Sequence, residues 1–132
     1  MSNYRRSKIT GGTYFFTLVT YRRQELFASA DVMEEFRNVT REVKKSFPFA
    51  IDAWVVLPDH MHFIWTLPEN DNAYSKRIAM MKRRFSSRMK VRLEVPEWMT
   101  ESRRKHGEST IWQRRFWEHQ IRDENDYARH MD

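Results

Sequence analysis

Residues 51–67, IDAWVVLPDHMHFIWTL, decide the fold. Ile51 to Leu57 is rich in β-branched and aromatic residues and reads as a strand. Pro58-Asp59 leaves room only for a tight turn, and residues 60–67, HMHFIWTL, form a second run of the same kind. Two strands joined this closely must pair as an antiparallel hairpin. Side chains alternate along a strand, so His60 and His62 share one face while Met61 turns to the other. The strand is amphipathic in an unusual way, with imidazoles where a solvent face ordinarily carries Thr or Lys.

Working outward, YFFTLVTY (14–21) reads as a strand, punctuated before by Gly11-Gly12 and after by Arg22-Arg23. A helix lies between it and the hairpin. Asp31 is placed to cap it, with Glu34 completing a capping box. Val32, Phe36, Val39 and Val43 give it one apolar face, and Pro48 ends it. Downstream, residues 73–92 form a second helix with Tyr74, Ile78, Met81, Phe85 and Met89 on one side. Lys76, Arg77, Lys82, Arg83, Arg84, Arg88, Lys90 and Arg92 cover most of the rest. The polar stretch 96–109 reads as a loop, and IWQRRFWEHQIR (111–122) as a fourth, partly irregular strand. A last helix begins near Asp123 and runs to Asp132. The first six elements match the split βαβ of an α+β, ferredoxin-like fold, an antiparallel sheet with two helices on one face. The 132 residues are expected to form one domain.

Hydrophobic residues make up 40% of the chain and aromatic ones 14%, enough for a real core. Twenty-four Lys and Arg against 18 Asp and Glu give a net charge of +6, which favours a polyanionic partner. The absence of cysteine excludes disulfides, thiolate zinc sites and cysteine nucleophiles. The N-terminus has no apolar signal region, and no run approaches the roughly 20 apolar residues of a membrane span. The expectation is a cytoplasmic, nucleoid-associated protein with no membrane partner.

Two imidazoles at i and i+2 on a strand can share one metal ion, although a solitary His-x-His is more often a pair of surface residues. Its setting adds to it. AWVVLPDHMHFIWTLPEND (53–71), YSKRIAMMKRRFS (74–86) and IWQRRFWEHQIRDENDYARHMD (111–132) resemble the REP-associated tyrosine transposases, part of the single-tyrosine HUH transposase superfamily. The opening YRRSKITGGTYFFTLVT (4–20) is similar too, so the likeness covers essentially the whole chain in order. It implies a metal-dependent transposase or endonuclease on a ferredoxin-like palm, with His60 and His62 holding a divalent ion, Mg²⁺ or Mn²⁺. The implied partner is single-stranded or hairpin DNA of the REP type, cleaved and transferred through a 5′-phosphotyrosine. Relatives include monomers and dimers.

The resemblance also implies a departure. In relatives, the segment matching ARHMD (128–132) is followed at once by the nucleophilic tyrosine, with a polar metal ligand one helical turn further on. On that alignment the nucleophile lies past Asp132, the family's C-terminal segment is missing, and the chain binds DNA without cutting it. Tyr127 is the substitute on the same helix, but about 9 Å too early along the axis, with Met131 at i+4 and His130 at i+3.

The candidate DNA-binding surface combines Lys82, Arg83, Arg84 and Arg88 of the second helix with Arg114 and Arg115, which alternate with aromatics in WQRRFWEH (112–119). Trp112, Phe116 and Trp117 are the candidates for stacking on unpaired bases. Tyr4, Arg5 and Arg6 form a basic arm that, by resemblance, helps read nucleotides beside the hairpin. His119 stands close to the final helix.

Two other readings stay open. A non-catalytic nucleic-acid-binding ferredoxin-like module would leave the histidines unused. A metal-dependent hydrolase would need carboxylates near them, and Asp59, if extended like its neighbour, would point away from His60.

Overall fold

A computed structural model describes residues 11–121 and Arg129. Tyr4, Arg5, Arg6, Tyr127 and the final helix therefore lie outside the described residues. In chain order the elements are β1 (Thr13–Val19), α1 (Ala30–Ser46), β2 (Ala50–Leu57), β3 (His60–Thr66), α2 (Tyr74–Leu93), α3 (Glu101–Lys105) and β4 (Trp117–Gln120). The strands form a sheet in the order β2-β3-β1-β4, and every neighbouring pair is antiparallel. β3 thus sits between β1 and β2, as the split βαβ arrangement requires. The ferredoxin-like order read from the sequence is the order found.

Strand alternation decides which face is the core. Tyr14, Phe16 and Leu18 of β1 and Met61, Phe63 and Trp65 of β3 are buried together. Val32, Phe36, Val39 and Val43 of α1 and Ile78, Met81 and Phe85 of α2 pack against them. Phe36 joins the layers, with ring centroids 6.4 Å from Phe63 and 5.3 Å from Phe85. Each fully buried side chain of this size stabilises the fold by about 1.5–3 kcal/mol. Both helices therefore cover one face of the sheet, and His60 and His62 belong to the other.

Four local expectations are corrected. Asp31 does not cap α1. The helix starts two residues earlier than that cap implies, at Ala30, Ser29 holds the cap position without a side-chain bond, and Asp31 falls in the first turn. There its charge suits the positive end of the helix dipole. Arg77 is not part of a solvated basic face but is 1% exposed. Its guanidinium donates to Asp71 at 2.8 and 3.1 Å and to the carbonyls of Phe47, Pro48 and Ala73 at 2.9–3.0 Å. Only such complete pairing makes a buried charge tolerable, and it ties the α1–β2 corner to the start of α2. The stretch 96–109 is not all loop. It holds a 3₁₀ turn (Pro96–Trp98) and α3, whose N-cap Thr100 accepts a bond from the Arg103 amide at 3.1 Å. β4 is shorter than expected because Ile111 and Trp112 leave the pleat and enter the core, where Trp112 lies among Phe27, Phe36 and Phe85.

Among the described residues no helix is long and apolar enough to cross a membrane.

Candidate active site

The site is built on the open face of the sheet. Cross-strand register sets His60 beside Val19 and Leu57, and His62 beside Thr17 and Val55. Thr17 in turn pairs with Trp117, and Phe15 with His119, so these two residues of β4 lie on the same face as the histidines. The imidazole centroids are 5.0 Å apart, and both residues are half-buried.

Each ring is held by its Nδ1 atom. His60 Nδ1 lies 2.7 Å from Asp59 Oδ1, and His62 Nδ1 lies 2.9 Å from Thr17 Oγ1. An ionised carboxylate only accepts, so the neutral His60 ring carries its proton on Nδ1 and keeps the Nε2 lone pair for another partner. Thr17 can accept in the same way from His62. Both Nε2 atoms are then available on the open face, as imidazole ligands of a metal require. Phe15 stacks against His62 with centroids 5.4 Å apart and further restricts its ring.

Asp59 departs from expectation. It belongs to the turn between β2 and β3, where strand alternation does not apply, and its carboxylate reaches back to His60 instead of pointing away. Arg23 Nε donates to the second oxygen at 2.8 Å. The bond from His60, then that from Arg23, holds the Asp59 carboxyl well down, at about 2. The His62 imidazole is lowered by burial and then by the neighbouring His60, which favours the neutral form that can ligate.

The two histidines therefore fit as two ligands of one divalent ion. Both oxygens of Asp59 are engaged, by His60 and by Arg23, so in this arrangement its carboxylate orients the His60 ring. Among the described residues no group of three or more His, Cys, Asp or Glu side chains is gathered to complete a metal site.

The three aromatic candidates for stacking separate cleanly. Trp112 is 4% exposed and Phe116 packs edge-on against Phe16, whereas Trp117 is 66% exposed. The basic candidates also differ in their surroundings. Arg88 pairs with Glu42 and Glu35 of α1, and Arg84 lies 3.6 Å from Glu42. Lys82 donates to the carbonyls of Gln113 and Arg114, and Arg114 pairs with Glu108. Arg83 and Arg115 are exposed. Lys82, Arg83, Lys90, Arg104 and Arg114 border an open groove of about 840 Å³ between α2 and the segment preceding β4.

Sequence reasoning missed Arg23 and Thr17. Pairing β1 with β3 by their hydrophobic faces would have set Thr17 opposite His62. Nothing local marks Arg23, which depends on an unusual backbone.

A family profile described as "Transposase IS200 like" matches residues 8–127. A REP-associated tyrosine transposase of Escherichia coli (strain K12) is 43% identical over 133 residues, covering all of this chain and 69% of the relative. A relative from Haemophilus influenzae is also 43% identical, over 132 residues and 73% of its own length. The solved structure of a REP-associated tyrosine transposase bound to a REP hairpin superposes with a TM-score of 0.76 at 42% identity, covering 98% of this chain and 68% of that one. A structure from Deinococcus radiodurans R1, 17% identical with a TM-score of 0.64 over 98% of this chain and 92% of that one, shows the same fold. With its profile match, its relatives and its sheet topology in agreement, the chain belongs to the IS200-like transposase family, among the REP-associated tyrosine transposases.

Proposed function

We propose that this chain binds hairpin DNA with a single-stranded flank and presents a flank phosphate to the His60–His62 pair. The observation that carries the proposal is the fixing of both rings through Nδ1 on one face of β3, which leaves both Nε2 atoms for another partner. Held on those atoms, Mg²⁺ or Mn²⁺ would polarise the scissile phosphate and favour departure of the 3′-oxygen. The chain's own residues do the rest. Trp117, across Thr17 from His62, offers a stacking surface to an unpaired base. Arg83 and Arg115 contact backbone phosphates, with Lys82 and Arg114 at the groove beside them, while Arg84 and Arg88 add charge already balanced in part by Glu42 and Glu35. Tyr4, Arg5 and Arg6 are assigned to the flanking nucleotides.

The test uses one labelled hairpin oligonucleotide with a single-stranded flank and Mn²⁺, read by gel shift and by denaturing gel. Retardation of the flanked hairpin in the gel shift is the expected result. An adduct lost in Tyr127→Phe would make Tyr127 the nucleophile, and no binding at low salt would overturn the DNA assignment.

A further inference from the structure

The turn after β1 has an unusual backbone. Arg22 and Arg23 both sit at positive φ, 57° and 55°, in the left-handed region that non-glycine residues rarely occupy. Such residues persist only where the surroundings over-determine them, and they gather at functional sites. Here the surroundings are visible. The fully buried Thr20 hydroxyl, whose single proton the two carbonyls share, lies 2.8 Å from the Gln24 carbonyl and 3.1 Å from the Asp59 carbonyl. The Thr20 amide reaches the same Asp59 carbonyl at 3.1 Å. Gln24 Nε2 donates to the carbonyls of Tyr21 and Thr110 at 2.9 and 2.7 Å. The Arg22 guanidinium lies 4.6 Å from the Trp98 ring centre, and Arg103 lies 3.9 Å from that of Tyr21.

Two strands of this network reach Asp59. Thr20 fixes the Asp59 backbone, and the turn aims Arg23 Nε at Asp59 Oδ2, leaving Oδ1 for His60. The Arg23 side chain is 58% exposed, so packing does not account for its place; the bond to Asp59 does.

We infer that Arg23 and Asp59 are positioning residues for the histidine pair: the strained turn at 20–24 holds the Asp59 carboxylate so that it sets the orientation and tautomer of His60. The inference deepens the proposed function, since it rests on His60 and His62 as metal ligands. Outer partners of metal-binding imidazoles fix the tautomer and the ring, and their loss commonly weakens metal binding about 10- to 100-fold. Arg23 acts one bond further out. It keeps Asp59 from rotating away, so its removal should weaken binding in the same direction and by less.

The test uses the full chain and Mn²⁺ alone, with the affinity read from the electron-spin-resonance signal of unbound Mn²⁺. In metal-free protein, ¹⁵N–¹H spectra of the imidazoles report which His60 nitrogen carries the proton. Asp59→Ala is expected to weaken Mn²⁺ binding about 10- to 100-fold and to remove the preference for Nδ1–H at His60. Arg23→Met is expected to weaken binding about threefold or more, with part of the loss recovered in Arg23→Lys, which keeps the charge but not the fork. The melting temperature of Arg23→Met should stay within about 2 °C of the parent, since the side chain is largely exposed. Parent-like Mn²⁺ affinity and an unchanged His60 tautomer in both Arg23→Met and Asp59→Ala would overturn the inference alone. Failure of the unsubstituted chain to bind Mn²⁺ would overturn the metal reading and the inference with it.

Discussion

Replacing Trp117 and Trp112 by alanine, one at a time, separates a ligand-facing aromatic from a core one. Trp112 is 4% exposed, with its ring centre 5.6–5.7 Å from those of Phe27, Phe36 and Phe85. Its removal leaves a cavity that this rigid aromatic cluster cannot close, at a cost of about 3–5 kcal/mol. For a domain of this size the melting temperature should fall by about 10 °C or more. Trp117 is 66% exposed, so folding buries only a third of its surface. That is about 80 Å², or about 2 kcal/mol at most at about 25 cal/mol per Å². Its role on the DNA is where the larger effect belongs. A stacked base contributes about 1–3 kcal/mol, so Trp117→Ala should raise the Kd for a hairpin with a single-stranded flank about 5- to 150-fold. A blunt hairpin, with no unpaired base to stack, should bind within about twofold of the parent. Fluorescence anisotropy on both oligonucleotides, with thermal melting in parallel, gives the comparison. Flanked-hairpin affinity unchanged within twofold in Trp117→Ala would refute the stacking argument.

Further outcomes follow from the same geometry. His60→Ala and His62→Ala should each abolish measurable Mn²⁺ binding while leaving DNA affinity in metal-free buffer within about threefold, which calorimetry and gel shift would check. Arg77→Met should destabilise the fold by about 3 kcal/mol or more in denaturant titration, because it strands the Asp71 carboxylate and three backbone carbonyls. The bond from Arg77, and then that from the Ala73 amide, lowers the Asp71 carboxyl from its ordinary 3.8. Its contribution is therefore complete above that value and is lost as pH falls through the depressed one, so acid titration of Asp71→Asn should show a shallower stability loss below about pH 4. Arg83→Ala should weaken binding to flanked hairpins of any sequence and reduce the slope of log K against log salt by about one.

The hairpin, both helix faces and the sheet order were legible because each rests on periodicity. Apolar residues at i, i+4 and i+7 found α1, and alternation placed the two histidines on the face opposite Met61. What escaped depends on contacts between distant segments. Arg77 reads as one more cation on a basic helix, and only the carbonyls of Phe47 and Pro48, about 30 positions earlier, reveal it as a core residue. Trp112 and Trp117 are equivalent in WQRRFWEH until the backbone leaves the pleat and sends one into the core. Asp59 was judged by strand alternation although it sits in a turn. Its partner Arg23 lies 36 positions away on a left-handed backbone that no local pattern announces.

The most direct test of the account is to locate the DNA. Titrating a flanked hairpin into ¹⁵N-labelled protein and following backbone amide shifts would map its footprint. The account predicts the largest shifts on the open sheet face, at Thr17, His60, His62 and Trp117, and none on the outer surface of α1. Shifts confined to the helical side, with the histidine strand silent, would contradict it.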